Sequence, residues 1–228
     1  MQDIEQNIKK VYDRIRLAEL KYHRPPNSVK LIAVSKTKPE AAILAATRAG
    51  QCAFGENYVQ EAISKIENIR NPSLEWHFLG PIQSNKTRLI VANFSWVHSV
   101  DRLKIAQRLS EQRKEALPAL NVCLQVNISQ EARKSGVSVK DVPSLVEAIS
   151  VLPRLKLRGF MVIPRKSSDL SAQRKPFAEV RQLKETIAQQ CGIKLDTLSM
   201  GMSSDLEAAV AEGASHVRIG TDIFGSRN

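Results

Sequence analysis

The sequence predicts an α/β protein folded as a single (β/α)8 TIM barrel with an additional N-terminal helix. Three observations carry that expectation. Eight short apolar or β-branched runs recur along the chain, helix-like stretches lie between them, and the connecting segments are brief. Strands alternating with helices specify βαβ units and a parallel sheet, and eight such units are enough to close it. An open doubly wound sheet is the alternative, but no G-x-G-x-x-G follows the first run, Leu31-Ile32-Ala33-Val34-Ser35-Lys36.

The leading helix is expected over about 3–22. Ile4, Ile8, Val11, Ile15, Ala18 and Tyr22 step by four and three residues, which places them on one face. Pro25-Pro26 then bars its continuation, because proline lacks the N–H and disfavours helix in the residue before it. The strand candidates are Lys30–Ser35, Cys52–Gly55, Trp76–Gly80, Ser95–Ser99, Asn121–Ile128, Leu157–Ile163, Thr197–Met200 and Val217–Gly220. Several are apolar at consecutive positions, as strands covered on both faces are. Helices are expected near 39–49, 57–70, 84–92, 101–116, 141–150, 173–191 and 204–212. After the eighth run, the stretch Thr221 to Asn228 is too short for an ordinary outer helix, so the leading helix is expected to fill that place. No linker or composition shift divides the chain, and the expectation is one domain over 1–228, with its barrel over about 29–225.

Composition narrows the function classes. With 43% apolar and 25% charged residues, the chain is neither disordered nor fibrous. The apolar runs are far shorter than the roughly 20 residues of a membrane span, and the first residues show no secretory pattern. Three cysteines, Cys52, Cys123 and Cys191, are an odd and widely spaced set, which fits reduced thiols and a cytoplasmic protein. The net charge of +11 raises nucleic acid as a partner, but the surplus is spread evenly along the chain and aromatics are only 5%. A basic surface around an anion-binding pocket is the expectation, with neither nucleic acid nor membrane as partner.

In a parallel barrel, chemistry collects at the C-terminal ends of the strands. Those ends read Ser35-Lys36-Thr37, Gly55-Glu56-Asn57, Gly80-Pro81-Ile82-Gln83, Ser199 through Ser204, and Arg218-Ile219-Gly220-Thr221. They share one lysine and many small donors. Lys36 either carries its ammonium out to water or, partly desolvated, loses its proton and becomes a nucleophile toward an aldehyde. Ser203, Ser204, Gly220 and Thr221 are either ordinary turn and capping residues or a phosphate site of the kind this fold builds after strands seven and eight. Ser204-Asp205-Leu206-Glu207 has the capping-box pattern, which makes Ser204 the expected cap and Ser203 the expected ligand. Asn57 either caps the second barrel helix, with Gln60 completing the bond, or reaches a ligand in the mouth. Lys134 is a second amine near the mouth or a solvent-facing loop residue. The four histidines show no metal-ligand spacing, and no G-x-S-x-G elbow supports a hydrolase.

These residues resemble a known family, the pyridoxal phosphate homeostasis proteins. The resemblance is carried by Ala33 to Lys38, Phe54 to Glu61, Trp76 to Lys86 and Lys134-Ser135-Gly136, then by Gly159-Phe160-Met161 with Ile163-Pro164, Leu198 to Asp205, and Val217 to Thr221 with Ile223-Phe224-Gly225. It implies a barrel like the N-terminal domain of alanine racemase, with pyridoxal 5'-phosphate as a covalent aldimine on Lys36. It further implies a phosphate near Ser203, Gly220 and Thr221 with Ser199 close by, Asn57 near the ring, and Arg218 facing the pyridine nitrogen. A guanidinium stays charged and offers no counter-anion, so that nitrogen would remain unprotonated and the ring a poor electron sink. Racemases that resemble this barrel bring a tyrosine from a further β domain, which is not seen here. The implied role is a monomeric holder of vitamin B6 aldehyde in amino- and keto-acid balance, without turnover, passing cofactor transiently to apo enzymes. A pyridoxal phosphate-dependent racemase or lyase is the alternative. Asp222, where many relatives have alanine, puts a negative charge near the phosphate loop and would weaken the hold if it faced the site.

Overall fold

The computed structural model describes residues 3–129, 131 and 135–226. Among them, eight parallel strands close a barrel in chain order, β1 to β8. The strands are β1 (Lys30–Val34), β2 (Ala53–Glu56), β3 (Glu75–Phe78), β4 (Trp96–Val100), β5 (Leu120–Gln125), β6 (Leu155–Met161), β7 (Thr197–Ser199) and β8 (His216–Ile219). Between them run α2 (Glu40–Arg48), α3 (Val59–Ile69), α4 (Thr87–Asn93), α5 (Leu103–Gln112), α6 (Val142–Ser150), α7 (Leu170–Cys191) and α8 (Leu206–Ala211). Closure comes from β8 pairing with β1, where Lys30 faces His216 and Ala33 faces Ile219.

The helix ahead of the barrel, α1 (Ile4–Lys21), starts where Asp3 accepts a hydrogen bond from the Gln6 N–H at 3.0 Å. It buries Ile8, Val11, Ile15 and Ala18, the face expected from their spacing. That face packs on α2, on α8 and on a four-residue helix after β8, α9 (Thr221–Phe224). Thus α1 takes the place that a full eighth outer helix would occupy.

The strands are less uniformly apolar than expected, and the departure has a physical reason. Outward positions such as Phe78, Val97, Leu124, Phe160, Leu198, Val217 and Ile219 join the main hydrophobic core between strands and helices. The alternate positions point into the barrel, and there the sequence places His77, Trp96, His98, Cys123, Met161, Ser199, His216 and Arg218, all buried. Successive side chains on a strand face opposite ways, so one parity builds an apolar layer and the other a polar interior. The interior apolar cluster is small: Trp96, Cys123 and Met161.

Candidate functional site

Lys36 sits just past β1, in a turn closed by the Lys38 N–H donating to the Ser35 carbonyl at 3.0 Å. Thr37 has φ of 63°, in the left-handed region. The residues on either side of Lys36 are held by a buried ionic cluster. Lys65, on α3, donates its three protons to the Ser35 carbonyl at 2.8 Å, to Glu56 Oε1 at 2.8 Å and to Glu61 Oε1 at 2.5 Å. Ser35 Oγ donates to Glu56 Oε1 at 2.7 Å, and the Thr37 N–H donates to Glu61 Oε1 at 2.6 Å. The Glu56 side chain is fully buried, and its Oε2 has no hydrogen-bond partner among the described residues. Burial pushes the Glu56 carboxyl pKa up, against the pull of Lys65 and Ser35.

The half-buried Lys36 opens onto a cavity of about 410 Å³ at the C-terminal mouth of the barrel. Asn57, Ser203, Arg218, Gly220 and Thr221 line the same cavity, so six of the seven residues singled out from the sequence meet there. Its apolar walls are Val34, Leu79, Met161 and Met202. Ser199 is the seventh and lies beneath. It is fully buried, accepting from Arg218 Nη1 at 2.8 Å and standing 2.8 Å from His98 Nδ1. Arg218 also donates through Nη2 to the Val162 carbonyl at 3.0 Å. Burial lowers the Arg218 pKa to about 10, a value at which the guanidinium still keeps its charge near neutrality.

Two capping expectations are corrected. The first residue ahead of α3 is Tyr58, with no side-chain cap bond, so Asn57 does not cap that helix. Asn57 faces the mouth instead, and its carbonyl lies so close to Gly80 that a Cβ there would fall 2.0 Å away. The Ser204 capping box does not form either. The residue ahead of α8 is Asp205, which takes no side-chain cap bond and accepts from the Met202 N–H at 2.6 Å. Glu207 is drawn away by Arg14 of α1, which donates to it at 2.9 Å. Arg14 also donates to the Ser203 carbonyl at 3.0 Å and pairs with Asp222. Asp222 therefore has its charge committed to Arg14.

Lys134 lies outside the described residues. A second amine on the cavity comes instead from Lys166, which sequence reasoning passed over although it follows the strand-six end Ile163-Pro164. An adjoining lobe of about 350 Å³ shares Asn57, Leu79 and Ile163 with the first and adds Asp101, Gln125, Asn127 and Ser135. Also missed were the interior histidines and the Glu56–Lys65 pair. Strand parity would have marked the histidines, since His77 and His98 both alternate with outward apolar residues.

The donor set is specific in its chemistry: an amine at one wall, hydroxyls at another, apolar side walls and a buried fixed cation at the floor. It can receive an anionic group at the hydroxyls, an apolar body between the side walls and a carbonyl at the amine.

Comparison with known proteins points the same way. The model of the family described as alanine racemase, N-terminal domain, matches residues 6–228. The pyridoxal phosphate homeostasis protein of Pseudomonas aeruginosa is 57% identical over 228 residues, covering 100% of this chain and 97% of that protein. Its namesake in Escherichia coli K12 is 48% identical over 236 residues, covering 100% and 98%. PipY of Synechococcus elongatus, solved with pyridoxal phosphate bound, is 44% identical with a TM-score of 0.82, covering 92% of this chain and 98% of that one. Alanine racemase from Corynebacterium glutamicum shares the fold, with a TM-score of 0.73 at 16% identity, over 99% of this chain and 60% of that one.

Proposed function

This chain belongs to the alanine racemase N-terminal-domain family and, within it, to the pyridoxal phosphate homeostasis proteins, and from that membership we propose that it binds pyridoxal 5'-phosphate at the barrel mouth, with Lys36 as covalent anchor. The role we assign is that of a cofactor holder in vitamin B6 and amino- and keto-acid balance, without turnover of its own. One observation carries the reading: Lys36, the Met202–Ser204 turn, the Gly220–Thr221 turn and the Arg218 guanidinium line a single cavity. The PipY structure with pyridoxal phosphate bound, at 44% identity, supports it.

When bound, pyridoxal phosphate supplies an aldehyde carbon open to an amine and an aromatic ring able to take up electrons. The roles we assign to this chain's residues are those that the family resemblance implies, and their positions around the cavity support them. Lys36 presents its amine from a turn whose two flanks are tied to Lys65 and Glu61. Ser203 and Thr221 offer hydroxyls to the phosphate, and Arg14 fixes the Ser203 backbone from behind. Arg218 offers its guanidinium to the ring nitrogen while Ser199 and Val162 hold its Nη atoms. A donor that stays charged leaves that nitrogen without a proton, which weakens the ring as an electron sink and suits holding better than turnover. Asn57 bounds the ring side, between the two lobes.

The relatives carry homeostasis names rather than enzyme names. No helix among the described residues is long and apolar enough to cross a membrane. We infer a monomer in the cytoplasm, where unpaired Cys52, Cys123 and Cys191 stay reduced, passing cofactor transiently to apo enzymes.

The test is optical and chemical together. Purified protein with added pyridoxal phosphate is expected to absorb in the visible, lose that band on borohydride reduction, and yield one tryptic peptide with the reduced adduct at Lys36. Lys36→Ala is expected to show neither band nor adduct. Loss of deuterium label from the α-carbon of amino acids over many turnovers would replace the holder with a racemase or lyase. Failure of the wild type to develop any band would end the reading altogether.

A further inference from the structure

A continuous polar chain crosses the barrel interior from its floor to Arg218. At the floor, Lys30 Nζ lies 2.6 Å from Glu75 Oε1, and the same oxygen is 2.6 Å from His77 Nε2. That last contact is too bent to count as a hydrogen bond, so it is a short approach of ring nitrogen to carboxylate. His77 Nδ1 is 2.9 Å from His98 Nε2, His98 Nδ1 is 2.8 Å from Ser199 Oγ, and Ser199 Oγ accepts from Arg218 Nη1. The two histidines and Ser199 are fully buried. Trp96 stacks on both rings at centroid distances of 5.6 Å and covers the His77–His98 pair.

The two ends dictate where the protons sit. The short approach of His77 and the Lys30 ammonium hold Glu75 below the usual carboxylate range, although burial alone would raise it. An unprotonated Nε2 carries partial negative charge and would be repelled by a carboxylate oxygen 2.6 Å away even off the ring axis, so Nε2 carries a proton. A neutral His77 then accepts at Nδ1, His98 donates from Nε2 and accepts at Nδ1, and Ser199 must donate to His98. Ser199 Oγ is left facing Arg218 as an acceptor only, and a guanidinium can only donate. The reverse order requires a doubly protonated His77. The charges and rings facing His98 (Arg218, Lys30, His77 and His216) and Lys30 facing His77 all oppose added positive charge, with Glu75 alone favouring it. Burial, the largest influence on both rings, opposes it too.

We infer that Glu75, His77 and His98 are positioning residues for Arg218: they commit the Ser199 proton to His98, so that the Ser199 oxygen fixes the guanidinium at the cavity floor. The proton order is a property of the protein alone. Its consequence for cofactor affinity rests on the function proposed above.

The first measurement uses cofactor-stripped wild-type protein labelled with ¹⁵N. Long-range proton–nitrogen correlation at neutral pH is expected to place the ring proton of both His77 and His98 on Nε2. A proton on Nδ1 of His98, or two on His77, overturns the inference. The second is a double-mutant cycle on pyridoxal phosphate affinity. His98→Leu and Ser199→Ala are each expected to weaken binding roughly tenfold, the worth of one hydrogen bond to a charged partner. Because His98 acts through Ser199, the double variant is expected to lose no more than either alone, and His98→Asn, which restores an acceptor beside Ser199, is expected to recover most of the loss. Additive losses overturn the inference. Should wild type bind no pyridoxal phosphate, the functional reading fails while the ring-proton measurement still decides this one.

Discussion

Lys65→Met tests what holds the Lys36 turn in place. The Lys65 ammonium has only 6% side-chain exposure and spends all three protons on Ser35, Glu56 and Glu61. Glu56 is fully buried. Methionine keeps most of the stem volume and removes the charge, which leaves a carboxylate in the interior with only Ser35 Oγ beside it. Breaking a buried pair from one side costs about 3–5 kcal/mol. For a chain of this size that is a fall in melting temperature of roughly 6–20 °C. Chemical denaturation is expected to show a lower midpoint at an unchanged slope.

The pH dependence identifies the cause. The folded Glu56 pKa is already raised above its unfolded value, and removing Lys65 raises it further. A carboxyl with a raised folded pKa binds its proton more tightly when folded, so its penalty is full above that pKa and fades as pH falls toward the unfolded value. The deficit of Lys65→Met is therefore expected to be larger at pH 8 than at pH 5. Lys65→Met combined with Glu56→Gln is expected to recover part of the loss, because no charge is then stranded. A single-variant cost under about 1 kcal/mol, or a deficit that grows on acidification, would refute the reasoning.

Other outcomes follow from other contacts. Glu75→Gln is expected to cost about 1–2 kcal/mol at pH 7, discounted because its side chain is one-third exposed, and little at the lowest accessible pH. The sign follows from a pKa depressed to about 2: that stability is present above the unfolded carboxylate range and is lost as pH falls toward 2. Gly80→Ala is expected to displace the Asn57 carbonyl and lower pyridoxal phosphate affinity, measured by visible absorbance titration, since the new Cβ would fall 2.0 Å from that oxygen. Arg14→Ala is expected to weaken affinity several-fold by releasing the Ser203 carbonyl and freeing the Asp222 charge, a loss on the order of 1 kcal/mol, with Asp222→Asn restoring part of it. In a thiol titration, exposed Cys52 is expected to react in the native protein, while Cys123, its pKa pushed up to about 12 by burial, reacts only on unfolding.

What was legible in the sequence divides along local and non-local lines. The eight strands and the barrel were readable because each run is bounded by its own turns and needs no distant partner to be seen. The mouth was readable for the same reason, since strand ends follow from strand positions, and Lys36, Asn57, Ser203, Arg218, Gly220 and Thr221 all reach one cavity. The failures lie where a remote residue overrides a local pattern. Ser204 and Glu207 have capping-box spacing, but Arg14 claims Glu207 from 193 positions away. Asn57 has N-cap spacing, but the close approach of Gly80 to its backbone fixes it at the rim. Ser199 reads as a rim hydroxyl, but strand parity turns it inward toward His98 and Arg218.

The proposed anchor and ring partner are each fixed by buried charge from a different side of the barrel wall. Outside the wall, Lys65 and Glu56 hold Ser35 before Lys36 and Glu61 holds Thr37 after it; inside it, the chain from Glu75 to Ser199 fixes Arg218. Both devices are costly, because each desolvates ionic groups that water would otherwise stabilise. Such cost is commonly accepted at functional sites, where it gives a binding geometry formed before the ligand arrives. A site prepared in this way loses little further freedom when it is filled, which favours tight holding. Turnover of an amino acid would in addition demand a group free to give and take a proton above the ring. Among the residues lining the cavity the amines of Lys36 and Lys166 are the candidates for that role, and the α-carbon label-exchange assay decides whether either performs it.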